Sequence, residues 1–121
     1  MARILCLNSK VDERGTLTVL QDEIPFDIKR VFYIYNSDGS IRGGHRHHRT
    51  IQAAVCINGE CKIFINNGKE SQIYNLNKPD ICLILEPEDF HEMIEFNNNA
   101  ILLVLASENY DPNDYIFNNY G

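Results

Sequence analysis

Short strand-like runs separated by tight turns are the feature that most constrains the fold of this chain. Apolar residues either alternate with polar ones or run together briefly, and few segments show the period of a helix. Turn-forming residues interrupt these runs at short intervals, which is typical of many short antiparallel strands. The predicted strands cover residues 4–7, 16–20, 29–35, 50–58, 60–66, 71–76, 81–85, 91–96 and 100–107.

Two asparagine–glycine pairs predict where neighbouring strands turn back on each other. Asn58-Gly59 and Asn67-Gly68 each lie between strand-like runs, and both residue types accept the positive φ of a type I′ hairpin turn. Short antiparallel strands joined in this way pack as a sandwich or close into a barrel. The 121 residues have the length of one domain, so we expect a single all-β domain over residues 1–121.

Charge and hydropathy exclude several classes of protein. Eleven Lys and Arg against seventeen Asp and Glu give a net charge of −6, which supplies no broad positive field for nucleic acid or a membrane surface. The longest apolar runs, 81–85 and 100–106, are far shorter than the roughly 20 residues that cross a bilayer. The apolar stretch at the N-terminus is too short for a signal peptide, so we expect a cytoplasmic protein.

The cysteines show no metal-binding or redox motif. Their spacing contains no CxxC pair, and each lies in an apolar run, where a free thiol behaves as a small apolar side chain. We therefore predict that all four are reduced, buried and inert. They are Cys6, Cys56, Cys61 and Cys82.

The segment RGGHRHHR at residues 42–49 carries three of the four histidines. In an extended strand alternate side chains share a face, so His45 and His47 point to one side and Arg46 to the other. Two neighbouring imidazoles suit either metal binding through neutral nitrogens or proton transfer near neutral pH. Both possibilities stay open from this segment alone.

The spacing around these histidines resembles the first cupin motif. His45-x-His47 is followed after four residues by Gln52 and, six residues later, by Gly59. Gln52 stands where the family has a glutamate that usually binds the metal, and an amide is a poorer ligand because it is neutral. His91 lies one residue earlier than the second cupin motif places its histidine. The substitution and the shift both argue against a bound metal.

A second resemblance covers nearly the whole chain. Several segments, in one order, are similar to the cupin-fold sugar-nucleotide 3,4-ketoisomerases of the WxcM-like family. They are DERGTL at 12–17, IPFDIKRVFYI at 24–34, RGGHRH at 42–47, VCINGEC at 55–61, DFHEM at 89–93, VLAS at 104–107, YD at 110–111 and DYI at 114–116. The resemblance implies a single cupin domain that converts dTDP-4-keto-6-deoxyglucose to its 3-keto isomer, in the biosynthesis of deoxysugars for surface glycans.

The implied reaction needs a base, a donor for an oxyanion and a means of holding the substrate, but strictly no cofactor and no metal. We expect His47 to take the C3 proton and His45 to move protons at the other carbon or at the oxygens, although sequence does not order the two. Tyr33 is a candidate donor to the sugar oxygens, and Arg42 is a candidate to stabilise an enolate or bind a phosphate. The candidates for substrate binding are Arg14, Arg30, Arg46, Gln52 and His91.

The partner implied by the resemblance is a dTDP- or UDP-linked sugar, and the family's assembly is a homodimer that exchanges an N-terminal strand. The apolar segment 4–7 is the candidate for exchange. Two other functions stay open: a metal-dependent cupin enzyme that uses His45, His47, Gln52 and His91, and a sugar-binding cupin without catalysis.

Overall fold

The computed structural model describes residues 1–120, and residue 121, the last of the predicted domain, lies outside the described residues. Ten strands make up almost all of the regular structure, and one 3-10 turn, Pro112–Asp114, precedes the last strand. The strands are β1 (Arg3–Cys6), β2 (Asn8–Asp12), β3 (Gly15–Val19), β4 (Arg30–Ile34), β5 (Arg42–His47), β6 (Gln52–Asn66), β7 (Ser71–Leu76), β8 (Ile81–Leu85), β9 (Phe90–Ala106) and β10 (Tyr115–Ile116). The all-β prediction is confirmed.

Eight of the strands form one antiparallel sheet. Its order is β1-β8-β6-β9-β5-β10, with β4 paired to β9 and β7 paired to β6, while β2 and β3 pair only with each other. The first half of β6 pairs with β8 and its second half with β7. Since β9 runs alongside β6 over both halves, these two strands hold the two ends of the sheet together.

The hairpin predicted at Asn58-Gly59 is wrong. The chain does not turn back there, because β6 continues through both residues and its pairing with β9 shifts register at that point. Gly59 has a φ of 67°, which a bulge uses as readily as a hairpin turn does. Likewise, the separate strands predicted at 91–96 and 100–107 form the single strand β9. The turn at Asn67-Gly68 does join two strands, β6 and β7, as predicted.

Apolar side chains pack on both faces of the sheet. One cluster fills its concave side and includes Ala54, Ile63, Leu83 and Leu102. A second cluster lies on the outer side, where Leu7 and Ile24 from the N-terminal region cover residues such as Val55 and Ile84. Residues 53–56 are therefore buried on both faces of the sheet.

The cysteine prediction is wrong at one position. Cys56, Cys61 and Cys82 are buried, but Cys6 is exposed near the edge of the sheet, since β1 pairs on one side only. All four are free thiols. Among the described residues, no helix has the length and apolar character needed to span a membrane.

Candidate active site

Two adjacent strands bring three histidines together on the concave side of the sheet. His45 and His47 project from the same face of β5, as their spacing predicted, and their ring centroids lie 4.9 Å apart. His91 lies opposite His45 in the register of β5 and β9. Its ring centroid is 4.7 Å from that of His45 and 5.9 Å from that of His47. The sequence analysis had named His91 as a candidate for substrate binding, and the structure places it beside the other two histidines.

Two of these imidazoles present a free nitrogen. His47 and His91 are 4% and 1% exposed, and the Nε2 atom of each is buried without a hydrogen-bond partner among the described residues. The Nδ1 atom of His91 lies 3.1 Å from the carbonyl oxygen of Asp89. A carbonyl oxygen only accepts, so Nδ1 carries the proton, and Nε2 of the neutral ring is left as an acceptor.

The environment keeps the histidines neutral. Burial lowers the pKa of His47 to about 4; the charges of His45 and Arg30 act in the same direction, and that of Asp114 acts against them. Burial also lowers the pKa of His91 to about 3 and moves the pKa of His45 below its ordinary value. At neutral pH all three rings can therefore accept a proton from a bound molecule.

Two of the three histidines, His45 and His91, line a cavity of about 170 Å³. Its walls combine apolar side chains with a few polar groups, the composition expected of a small-molecule site. The lining residues are Phe32, Ile34, Arg42, Gly43, His45, Gln52, His91, Met93 and Tyr115. A larger cavity of about 330 Å³ runs along the β2–β3 hairpin, but no histidine lines it. The convergence of titratable groups therefore identifies the smaller of these two cavities as the candidate site.

Two arginines place positive charge near these histidines: Arg42 lines the cavity, and Arg30 acts on His45 and His47. Arg30 shares the inner face of β4 with Phe32, and its guanidinium lies 5.6 Å from the ring of Phe32 and 5.8 Å from the ring of Tyr110. Its Nε is buried without a partner among the described residues, and its charge lowers the pKa values of His45 and His47. Arg42 is exposed at the cavity rim. Both positions suit an anionic ligand.

Gln52 faces the same cavity. It begins β6, is 2% exposed, and its Oε1 has no hydrogen-bond partner among the described residues. A buried amide oxygen without a donor is costly, because it has lost its water. Gln52 is therefore suited to accept a hydrogen bond from a hydroxyl group of a bound molecule.

The C-terminal segment completes the site in a way that sequence reasoning missed. Strand β10 pairs with β5 and places the Tyr115 ring 4.5 Å from His45 and 4.8 Å from His47. The preceding residue, Asp114, is buried and binds the turn that follows β5. The motif DYI at 114–116 was visible in the sequence, but nothing local indicated that it reaches the histidines.

Three predicted site residues lie away from the cavity. Tyr33 is on the outer face of β4, opposite Leu103, and is 61% exposed. Arg14 is at the tip of the β2–β3 hairpin, where it pairs with Asp12 at 2.7 Å. Arg46 points away from His45 and His47, and its guanidinium stacks on Tyr120 at 4.1 Å. In this single chain none of the three lines the cavity.

The residues at the site do not fit a metal ion. Within residues 1–120, no group of three or more His, Cys, Asp or Glu side chains is arranged to hold one. Gln52, at the position of the cupin carboxylate, offers only a neutral oxygen.

Gly43 allows the close approach of β5 to β9 beside the histidines. It has a φ of 87°, and a Cβ atom there would lie 2.8 Å from the carbonyl oxygen of His91. We expect Gly43→Ala to lower the free energy of unfolding by about 1–3 kcal/mol more than Gly44→Ala does, measured by urea denaturation. Gly44 is the matched control, because it has a φ of 77° but nothing within 4 Å of its Cβ position. Equal losses would show that this close approach is unimportant.

Comparison with known proteins identifies the family. The family model described as FdtA: WxcM-like, C-terminal matches residues 1–120. The chain is 37% identical over 117 residues to TDP-4-oxo-6-deoxy-alpha-D-glucose-3,4-oxoisomerase of Aneurinibacillus thermoaerophilus, covering 94% of this chain and 84% of the relative.

Solved structures agree over almost the whole chain. The TDP-quinovose 3,4-ketoisomerase WlaRB of Campylobacter jejuni matches with a TM-score of 0.92 at 42% identity, covering 97% of this chain and 92% of that one. QdtA, a sugar 3,4-ketoisomerase of Thermoanaerobacterium thermosaccharolyticum in complex with TDP, matches with a TM-score of 0.93 at 40% identity, covering 97% and 88%. These matches confirm the predicted cupin-like architecture, and the chain belongs to the FdtA family, WxcM-like, C-terminal, as its sequence motifs indicated.

Proposed function

We propose that this protein, acting as a single domain, is an isomerase that converts TDP-4-keto-6-deoxyglucose to its 3-keto isomer for deoxysugar biosynthesis. One observation carries the proposal: His45 and His91 line one small cavity, and the buried Nε2 atoms of His91 and of its neighbour His47 have no hydrogen-bond partner among the described residues. Membership of a family whose relatives bear this activity supports it. The complexes of relatives with TDP and with TDP-4-keto-6-deoxyglucose support a nucleotide-sugar as the ligand class.

The reaction moves a carbonyl group by relocating two protons, one from C3 to C4 and one from O3 to O4. A base removes the proton from C3, which the neighbouring ketone acidifies, and the electron pair of the C–H bond forms a C3=C4 double bond. The oxygen on C4 gains negative charge and is protonated, which gives an enediol. The hydroxyl proton on O3 then leaves as the C3 carbonyl forms, and C4 accepts a proton. Atoms and electrons balance within the substrate, so the enzyme supplies acid, base and charge stabilisation.

The geometry suggests a role for each group. His47 is our candidate for the base at C3, because its neutral ring has a buried Nε2 atom without a partner among the described residues and lies next to His45, which lines the cavity. His45, on the same face, is the candidate for proton transfer at C4 or at the oxygens. The positive charge of Arg30 lies deep enough to affect both histidines and so suits the oxyanion. Arg42 at the rim suits the pyrophosphate.

Proton exchange in D₂O tests the activity and the substrate together. The enzyme is incubated with TDP-4-keto-6-deoxyglucose and, separately, with its UDP counterpart, and the products are followed by NMR. We expect loss of the C3 proton signal and appearance of the 3-keto isomer, and the configuration at C4 can be assigned from the same spectra. Binding of the nucleotide-sugar without C3 exchange would favour a sugar-binding protein. Activity abolished by EDTA and restored by a stoichiometric metal would favour a metal-dependent enzyme.

We further propose that the protein acts as a homodimer. The outer face of β4 exposes Val31 and Tyr33, and Tyr35, directly after the strand, continues the row; their exposed fractions are 55%, 61% and 57%. The β2–β3 hairpin has no strand partner within residues 1–120, and a two-stranded hairpin by itself is only marginally stable. Both features are suited to contact with a second copy. Exchange of the N-terminal strand would give the partner the same contacts that β1 now makes with β8.

Light scattering tests the assembly. We expect the wild-type protein to have twice the chain mass of 14.0 kDa. Tyr33→Glu is expected to give the mass of a monomer. Ile73→Glu, which changes a similarly exposed residue on β7, is expected to leave the dimer intact. A monomeric wild-type protein would contradict the proposal. Exchange is tested by Leu5→Cys in a Cys6→Ser background, because residue 5 lies opposite Cys82. After oxidation an exchanged strand gives a covalent dimer, whereas pairing within the chain gives a cross-linked monomer.

The expected cytoplasmic location belongs to this proposal as well. The described chain contains four free thiols and no disulfide, which suits a reducing compartment. Fractionation of cells that produce the protein would test this location.

A further inference from the structure

The C-terminal segment covers the end of the strand that carries the histidines. In the pairing of β10 with β5, Tyr115 lies opposite His47 and Ile116 opposite Arg46. The ring of Tyr115 is tilted by 49° against His45 and lies edge-on to His47. Both imidazoles are therefore enclosed on one side by a residue that comes from the other end of the chain.

Asp114 connects this segment to the turn after β5. Its carboxylate accepts hydrogen bonds from the backbone N–H groups of Arg49 at 2.8 Å and Thr50 at 3.2 Å. The hydroxyl group of Thr50 donates a further hydrogen bond to the same carboxylate. The backbone oxygen of Asp114 accepts from the N–H group of His48 at 3.0 Å. One residue thus binds the three positions that directly follow His47.

The groups around the Asp114 side chain suit a carboxylate better than an amide. Three donors converge on the two oxygens of Asp114, which is 1% exposed, and the Arg49 guanidinium lies 3.9 Å away. Burial alone would raise the pKa of Asp114, but the hydrogen bonds from Thr50 and Arg49 leave it below its ordinary value. An asparagine would direct an N–H group at one of these donors, so the contact would be weakened.

We propose that Asp114 is a positioning residue, which holds the C-terminal segment against β5 and thereby keeps Tyr115 packed over the imidazoles of His45 and His47. The effect on turnover rests on the proposed isomerase function. The effect on the histidines does not, because it concerns the protein without substrate.

The groups around His47 determine how its titration responds. On β5 its titratable neighbour is His45, from β9 it meets His91, and from β4 it meets the charge of Arg30. The C-terminal segment contributes Asp114 and Tyr115. The loop before β9 contacts the backbone N–H of His47 through the oxygen of Pro87, which lies between Glu86 and Glu88. Of these neighbours, Tyr115 is the one that Asp114 holds in place.

The test is an NMR titration of the histidine ring protons without substrate. In Asp114→Asn we expect the pKa of His47 to rise by at least about one unit from its value of about 4, because water reaches a ring that burial had kept neutral. Loss of the negative charge alone would move this pKa downward. A rise therefore indicates that the cover has loosened, and an unchanged or lower value would overturn the proposal.

Two further variants keep the test interpretable. Tyr115→Ala removes the cover directly and is expected to give the same upward shift. Asp111→Asn is the matched control: it lies in the same segment, its side chain caps the 3-10 turn, and asparagine caps equally well, so we expect no shift. If D114N does not fold, Thr50→Val can replace it in the test, because it removes one of the three donors to the Asp114 carboxylate. A His47 titration unchanged in T50V would then overturn the proposal.

Turnover gives a second readout. We expect D114N to lower kcat about 10- to 100-fold and to change KM little, because misplaced catalytic groups slow chemistry more than binding. A wild-type kcat in D114N would overturn the proposal. If the wild-type protein does not isomerise the substrate at all, the proposed function fails, but the histidine titration still decides whether Asp114 positions the segment.

Discussion

Replacement of His47 by asparagine is expected to lower kcat/KM at least about 1000-fold while leaving the fold intact. Asparagine is polar and fits the space of the imidazole, but it cannot take a proton from carbon. Loss of a general base commonly costs two to four orders of magnitude. The buried Nε2 of His47 has no partner within the described chain, so the change breaks no hydrogen bond of that atom. The measurement is C3 proton exchange in D₂O, with circular dichroism as the check on folding.

Substitutions of neighbouring histidines show whether the loss of activity is specific to His47. His48→Asn is the matched control, because His48 is exposed on the strand's end and is expected to keep the wild-type rate. In His45→Asn we expect C3 exchange to continue while formation of the 3-keto product slows, since the second proton transfer is impaired. A wild-type rate of C3 exchange in H47N would assign the base to another residue.

Replacement of Arg30 by methionine is expected to lower kcat about 100- to 1000-fold, with a smaller change in KM. The side chain keeps its apolar contacts with Phe32, but the positive charge beside the developing oxyanion is lost. The charge of Arg30 lowers the pKa values of His45 and His47, so its removal raises both. The acid limb of the pH profile of kcat/KM should therefore move to higher pH.

Two controls separate this role from general effects of charge. Lys29→Met removes a positive charge from the adjacent, exposed position and is expected to leave kcat unchanged. Arg42→Met, at the rim of the cavity, is expected to raise KM and leave kcat near the wild-type value. A rise of KM alone in R30M would instead assign Arg30 to binding of the pyrophosphate.

Local sequence patterns predicted most strands, because short alternating runs leave a chain few other ways to bury apolar side chains. They did not distinguish a hairpin from a bulge at Asn58-Gly59, since a positive φ at glycine satisfies both. That distinction depends on β9, which pairs with β6 on both sides of the bulge and lies some forty residues further along the chain.

The arrangement of the site residues was predictable where a single strand, β5, carries them. Alternation placed His45 and His47 on one face, but it did not show which face of β4 points inward, so Tyr33 was expected at the site where Phe32 lies. The role of Asp114 and the contacts of Tyr115 with the histidines were not predicted, because both residues reach β5 across more than sixty residues of sequence. Only the pairing of β10 with β5 reveals them.

Both ends of the sheet share β6 and β9, and this affects how the protein unfolds. Neither end can melt while the other stays folded, because each would have to release a strand on which the other depends. We therefore expect a destabilising substitution far from the histidines, such as one at the Gly59 bulge, to lower the midpoint of a single cooperative unfolding transition. It should not produce a separate unfolding step at lower denaturant concentration.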